Sequence, residues 1–440
     1  MIRCLLLCLC LLVAALPARA LDGVPPELAT WRKAAQHFDR VFFGGEPAIE
    51  KRRADFEAQF KSDRVPQWVF SEWAEAYATM YETTGDIKYA AALAELIEIA
   101  FTYRDDRAGR VDGLTGKKLP AWGMFDAYFK LRTVRVGTSA LVLSPAARLL
   151  GFMREKPELA ALAGMDAAEL EKEILRTVQV FDSVLEDVSG GGSRYLIPAS
   201  TGDVSCAEAG GEILEQWSVS AEEKCETQKN LAGRAEAFNI QLKMALALQY
   251  LGEAAGNREA SQRVDALTRY FLKSSGLRRL PDGRAYAYNY AEGGRIEDVS
   301  HANLVGEFLA VSYLDGLQDG KPLVEREIPA GIAAAIVDYA AVLAEDPNDG
   351  NRLKQVLTPY IDGSRAGNLS AEGNDDRLFG QRTSRVRRSC KQMLLLAVFD
   401  IRVAQLCGSI MSERANLSPM GLAYMAKALK LIERYGGEVP

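Results

Sequence analysis

The period of this chain limits its fold more than any other feature. Apolar residues return every three or four positions in run after run, while the strict alternation of a half-buried strand is nearly absent. Between Val69 and Thr102, Trp73, Tyr77 and Met80 mark one helix, Thr84-Gly85-Asp86 breaks it, and Tyr89, Leu93, Leu96 and Ala100 mark the next. Asn239 to Phe271 repeats the plan around Ala255-Gly256-Asn257. Asp166 and Glu169 form a D-x-x-E capping box ahead of the stripe Leu170, Ile174, Val178, Phe181 and Leu185. Further helices are expected over 27–43, 46–62, 139–154, 302–314, 329–345, 391–411 and 419–435. The best strand candidate is the short run Tyr286 to Tyr290.

Helical hairpins recurring over 440 residues form either an open solenoid or a closed α/α toroid. Long connections decide between them. The stretches 103–125, 189–230, 276–300 and 362–388 carry Gly and aromatic residues and exceed what regular solenoid turns need. The expectation is an all-α chain, an (α/α) toroid or incomplete barrel with long rim loops, forming one catalytic domain over 21–440.

Residues 1–20 read as a secretory signal peptide: Arg3 opens it, Cys4 to Leu16 is apolar, and Ala18-Arg19-Ala20 is a cleavage signal. No second apolar run long enough to span a bilayer is expected. The mature chain is therefore expected to be exported, periplasmic or secreted, and off the membrane. Cys4, Cys8 and Cys10 leave with the signal; Cys206, Cys225, Cys390 and Cys407 remain. An even number in an oxidising compartment suggests disulfides, and Cys206–Cys225 and Cys390–Cys407 each close a short loop. The formal net charge of -6 and the absence of a long basic tract exclude duplex nucleic acid as a natural partner. With only two His, His37 and His301, a His-rich metal site is excluded by count. No C-x-x-C and no Gly-rich nucleotide loop occurs, so neither a metal nor an organic cofactor is called for.

The chemistry-bearing residues gather in the long connections. The first holds Arg104, Asp105, Asp106 and Arg107, then Lys117, Lys118 and Trp122. An indole stacks on sugar rings, and Arg or Lys pairs with carboxylates. The second runs from Arg234 through Glu236 to Asn239 and Gln241 at the start of an apolar helix, where amides can meet an anionic ligand at a positive helix end. The third holds Tyr286, Tyr288 and Tyr290, then Glu297, Asp298, Ser300 and His301. Histidine is the side-chain type that titrates nearest neutral pH, and His301 opens the next helix beside two carboxylates, which makes it the acid/base candidate.

Taken together, R-D-D followed by P-A-W, an Asn at a helix start, and Y-x-Y followed by E-D-x-S-H-A resemble the helical-toroid polysaccharide lyases, the group of the alginate, glucuronan and chondroitin lyases. The resemblance covers roughly Trp68 to Ala310; the Asn-Asn-His triplet of one alginate-lyase group is absent. It implies β-elimination on a uronate-containing, anionic polysaccharide. Asn239 would neutralise the sugar carboxylate, His301 or a Tyr would remove the carbon-5 proton, and Tyr288 or Tyr290 would protonate the leaving oxygen. Arg104, Arg107, Lys117, Trp122, Arg234 and Glu236 would bind substrate, and Asn239, Tyr288 and His301 would ring one sugar-wide cavity. Competing readings are a glycoside hydrolase using acids among Asp105, Asp106, Glu297 and Asp298, a uronyl epimerase, and a non-catalytic carbohydrate-binding protein.

Overall fold

The structure is a computed structural model that describes residues 24–61, 67–126, 131–162, 164–198, 213–214, 219–220, 233–315, 317–318, 321–346, 349–357, 361, 390–412 and 417–435. The signal segment and the pair Cys206 and Cys225 lie outside the described residues.

Local chemistry starts and stops the helices where the sequence marks them. Helix α1 (Trp31–Phe38) is capped by Thr30, whose side chain accepts from Lys33 N, and runs into a π-helical turn, Asp39–Phe43. After α2 (Glu46–Lys61) comes the hairpin of α3 (Gln67–Thr84) and α4 (Ile87–Thr102). Gly85 turns it at φ 73°, a left-handed value that disfavours a side chain, and the Asp86 carboxylate caps α4 by accepting from Lys88 N. A short hairpin, β1 (Gly123–Asp126) with β2 (Leu131–Val134), leads into α5 (Val136–Glu155). The Asp166 carboxylate caps α6 (Ala167–Gln179) by accepting from Glu169 N at 2.7 Å. Hairpin β3 (Leu185–Val188) with β4 (Gly192–Tyr195) follows, then α7 (Phe238–Ala255) and α8 (Arg258–Ser274), parted by Gly256 and capped by Asn257. The two-residue strands β5 (Arg278–Arg279) and β6 (Tyr286–Ala287) precede α9 (Ala302–Leu314). The chain ends with α10 (Glu327–Ala335), a 3-10 segment (Gln392–Val398), α11 (Arg402–Met411) and α12 (Pro419–Tyr435).

These elements make an (α/α) toroid. Helices α3, α5, α7 and α9, the 3-10 segment and α12 each pack on the next, and α12 returns to α3, so the inner wall closes. Outside it, α4 backs α3 and α5, α6 backs α5, α8 backs α7, α10 backs α9, α11 backs the 3-10 segment, and α1 backs α12. The burial pattern follows the layers. The inner helix α5 is buried at nearly every position, whereas the outer helices α6 and α8 bury one stripe and expose the other face. Helix α5 is also long and apolar enough to cross a bilayer, which corrects the expectation that no second such run exists; 94% of its apolar window is buried in the toroid wall.

The axis of this barrel is charged. Lys243 of α7, fully buried, donates to Glu75 of α3 at 2.7 Å and to Glu307 of α9 at 3.0 Å. Arg148 of α5 donates to Glu75 at 2.5 Å and pairs with Glu82 at 2.6 Å. Ser144 donates to Glu75 at 2.7 Å, Tyr424 of α12 donates to Glu307, and Lys427 of α12 reaches Glu82 at 2.7 Å. Burial raises the Glu75 carboxyl, but Lys243 and Arg148 outweigh it and hold it below its ordinary value. Burial also opposes ionisation of Glu82, and Arg148 and Lys427 pull it down to about 2. Glu307, which has Lys243 but also Glu75 beside it, is raised, first by burial.

Three expectations change on folding. The run expected to be helical over 329–345 leaves α10 through a π-turn at Ile336–Ala340 and becomes a strand at Ala341–Asp346, paired with Asp349–Leu357. The run over 391–411 splits at Phe399–Ile401 into the 3-10 segment and α11. Leu185, at the end of the α6 stripe, lies in β3. Cys390 and Cys407 form the expected disulfide, tying the start of the 3-10 segment to α11.

Removing Lys243 as Met should cost about 3–5 kcal/mol, because two buried carboxyls lose their shared cation; denaturant unfolding measures it. Glu82 sets an acid limit. Its folded pKa of about 2 lies below an unfolded value near 4.3, so its stabilisation is present above the unfolded value and is lost as pH falls toward about 2. Glu82→Gln should therefore lower stability at neutral pH by about 3 kcal/mol and flatten the fall in stability between pH 5 and 2 in pH-resolved unfolding.

Candidate active site

The two faces of the toroid differ. Two inner-to-outer turns are tight, at Gly85-Asp86 and Gly256-Asn257, while four outer-to-inner connections are long: 103–135, 180–237, 275–301 and 336–391. Each of these connections therefore ends at the N-terminal end of an inner helix. Binding groups concentrate on loops held by a rigid scaffold, and helix N-termini favour negative charge. Side chains on different helices meet across this mouth. Arg135, directly before α5, grips Glu236, directly before α7, through two hydrogen bonds of 3.0 and 2.5 Å. Lys391, before the 3-10 segment, reaches Glu72 of α3 at 2.9 Å. Asn303, in the first turn of α9, accepts from the backbone N–H groups of Lys391 and Met393.

Connection 275–301 is folded tightly onto this mouth. Phe238 N donates to Tyr290 O at 3.0 Å, Tyr290 N to Arg295 O at 2.7 Å, and Glu297 N to Tyr288 O at 2.9 Å. The turn between them passes through Gly293 at φ 65°. These bonds seat Tyr290 against His301, with ring centroids 5.2 Å apart.

Behind the two rings lie Glu297 and Asp298. One oxygen of Asp298 accepts from Ser300 N, Ser300 Oγ and His301 N, which fixes the entry to α9. The other lies 2.5 Å from His301 Nδ1 and orients the imidazole, whose side chain is 38% exposed. Burial opposes the Asp298 charge, but His301 and Ser300 hold its pKa at about 2. Glu297 is fully buried; burial first, then Asp298, raises its carboxyl well above the usual range, and its Oε2 has no hydrogen-bond partner. Burial, then Glu297, Asp298 and Glu236, push Tyr290 up to about 12. The cluster thus sets a carboxylate held ionised beside one whose ionisation burial opposes, and presents an oriented imidazole against a phenol that holds its proton more tightly than usual. Ligand atoms of Glu297, Asp298 and His301 lie within 4.8 Å of one another, a spacing a metal could use. In the structure Asp298 instead spends both oxygens on His301 and Ser300.

Several residues singled out in the sequence lie elsewhere. Tyr288 is fully buried against Phe271, at 5.5 Å, with its hydroxyl unpartnered, so it cannot touch a substrate. Tyr286 points outward: it accepts from Arg279 and packs on Gly331 of α10, where even a Cβ would clash with its ring. The three tyrosines do not share one face, since the strand that carries Tyr286 stops at Ala287. Asn239 is 1% exposed, and neither amide atom has a partner. It sits one helical turn mouthward of Lys243, below the surface. Gln241 is spent on Tyr195 N and Glu236 O.

The first connection serves the outer layer. Arg104 is fully buried and pairs with Asp106 at 2.8 Å and with Glu173 of α6 at 2.6 Å. Arg107 is exposed and pairs with the same Glu173 at 3.3 Å. Asp105 is locked on Arg132 by bonds of 2.8 and 2.6 Å. Trp122 is 1% exposed, donates to Ala100 O at 2.8 Å and meets Phe101 edge-on, so it is a core residue and not a sugar platform. Lys117 and Arg234 remain exposed. Glu236 lies at the mouth, but its carboxylate is taken by Arg135. Arg135 itself was missed; its one sequence signal is its place just before an apolar helix.

The lyase expectation is corrected by this geometry. The residues assigned to β-elimination do not assemble into one site: Asn239, expected to neutralise the uronate carboxylate, and Tyr288, expected to protonate the leaving oxygen, are both buried, and Arg104 is paired with Glu173. No protein-family profile matches the chain, and no curated protein does. Among solved structures, a partial likeness is found to an inactive variant of an α-1,6-mannanase of Salegentibacter sp. HEL1_6, in complex with α-1,6-mannotriose. The two chains are 11% identical with a TM-score of 0.37, over 83% of this chain and 88% of that one.

Proposed function

We propose that this chain is a glycoside hydrolase that takes a neutral polysaccharide or oligosaccharide into the long-loop mouth. The observation that carries the reading is the cluster of Asp298, Glu297, His301 and Tyr290, in which an oriented imidazole and a protonated phenol stand side by side at the mouth. In the proposed reaction His301 takes a proton from water, and Asp298 stabilises the imidazolium that forms. The water oxygen bonds to the anomeric carbon as the glycosidic C–O bond breaks, the departing oxygen takes a proton from solvent, and the Tyr290 ring packs beside the base on the same side of the site. Burial opposes a second negative charge on Glu297, while Asp298 is held ionised behind the imidazole.

Two of the cations at the mouth are compensated, which weakens its pull on a polyanion. Arg135 is compensated by Glu236 and Lys391 by Glu72, so these cations do not make an electropositive trap for a polyanion. Export of the protein fits a substrate of this size and belongs to the same proposal.

Incubation with α-mannan, a neutral glucan and alginate, following both reducing ends and the absorbance of unsaturated sugars, tests the reading. New reducing ends from a neutral polymer without that absorbance are expected, with little dependence on salt. His301→Ala should lower turnover by about 100-fold or more with unchanged thermal unfolding. Unsaturated products, or full activity in His301→Ala, would overturn it.

A further inference from the structure

Trp122 is the indole that the sequence offers for stacking on a sugar, and it is buried. The structure exposes a different one. Trp68, the second residue of α3, is 48% exposed, and Val69 beside it is 50% exposed. Trp31 and Trp73 are partly covered and packed against cations: Arg32 and Lys430 lie over Trp31, and Arg52 lies over Trp73. Among the described residues Trp68 is thus the exposed tryptophan, and leaving so large an apolar face in water runs against the burial preference of this side chain.

Its place in the toroid is defined. Helix α3 is an inner helix, and its N-terminal end faces the mouth; Gln67, the residue before Trp68, donates to Gly123 O of the rim hairpin at 3.1 Å. A helical side chain leans toward the N-terminus of its helix, so the indole leans toward the mouth. Trp68 and Glu72 share one face of α3, four residues apart. Glu72 holds Lys391 Nζ at 2.9 Å, the Lys391 N–H donates to Asn303 Oδ1, and Asn303 donates to Ser300 O beside His301. One helical turn and these linked side chains connect the indole to the imidazole across the same opening.

We infer that Trp68 is a stacking platform for a sugar residue of the substrate some distance from the bond that is cut, and that it gives the site a preference for longer chains. The apolar face of a pyranose covers an indole ring, and the neighbouring Val69 extends the apolar surface without adding charge. The inference rests on the hydrolase reading for the position of the cut bond, but the binding itself does not depend on catalysis.

The test titrates the full chain with manno-, gluco- and alginate oligosaccharides of increasing length while following indole fluorescence. At least one neutral series should change the emission and bind more tightly as it lengthens. Trp68→Ala should abolish that change and reduce the affinity gained with length by about tenfold; Trp68→Phe, which keeps an aromatic face, should recover most of the gain. His301→Ala should retain the fluorescence change, which separates the two claims: failure of hydrolysis with a persisting signal sinks the hydrolase reading alone. Unaltered length dependence and emission in Trp68→Ala, or no response to any series in the unmodified chain, would overturn the assignment of Trp68.

Discussion

The toroid depends on a pair of charges that have no water. Lys243 and Glu75 are both fully buried at the axis, and each is tied to a third helix, Lys243 through Glu307 on α9 and Glu75 through Arg148 on α5. Isolated, either charge would cost far more than a domain's net stability. Together they stand only when α3, α5, α7 and α9 are all in register, with α12 adding Tyr424 and Lys427. A hydrophobic axis could be equally stable, but it would tolerate a helix sliding by one turn. The charged axis does not, since one turn separates Asn239 from Lys243 and Ser71 from Glu75.

That fixed register is what makes a mouth possible. With the inner helices locked at mid-height, their N-termini arrive together, and residues far apart in sequence meet there: Arg135 with Glu236, Glu72 with Lys391, Asn303 with the backbone of the 3-10 segment. Long connections can then vary in shape without disturbing the barrel, because each is anchored at both ends by helices already placed. The connection 275–301 shows the result, its backbone bonded to the start of α7 while its far end caps α9 through Asp298.

The same electrostatics separates structural cations from functional ones. An Arg beside carboxylates in sequence, as in Arg104-Asp105-Asp106, folds into mutual pairing because burial makes an unpaired charge expensive. Arg104 and Trp122 thereby become parts of the wall. The proposed site draws on side chains left at the opening, His301 and Tyr290 with Asp298 behind them, and Trp68 on the facing helix.

Helical period, capping residues and turn glycines determined by themselves that this chain is a series of helical hairpins: α9 and α12 begin and end where the apolar spacing puts them, because those signals are local and act over one or two turns. The sequence also pointed to His301 with Asp298, since a side chain three residues away can reach the imidazole without help from the rest of the fold. Pairing across the barrel was not legible. Nothing near Arg135 announces Glu236, and nothing near Trp68 announces His301, because those distances are set by the closure of the inner ring. Burial was equally out of reach: Tyr288 and Tyr290 are two residues apart and chemically identical, and only the tertiary structure turned one into the core and left the other against the imidazole, where the loop's backbone bonds to α7 hold it.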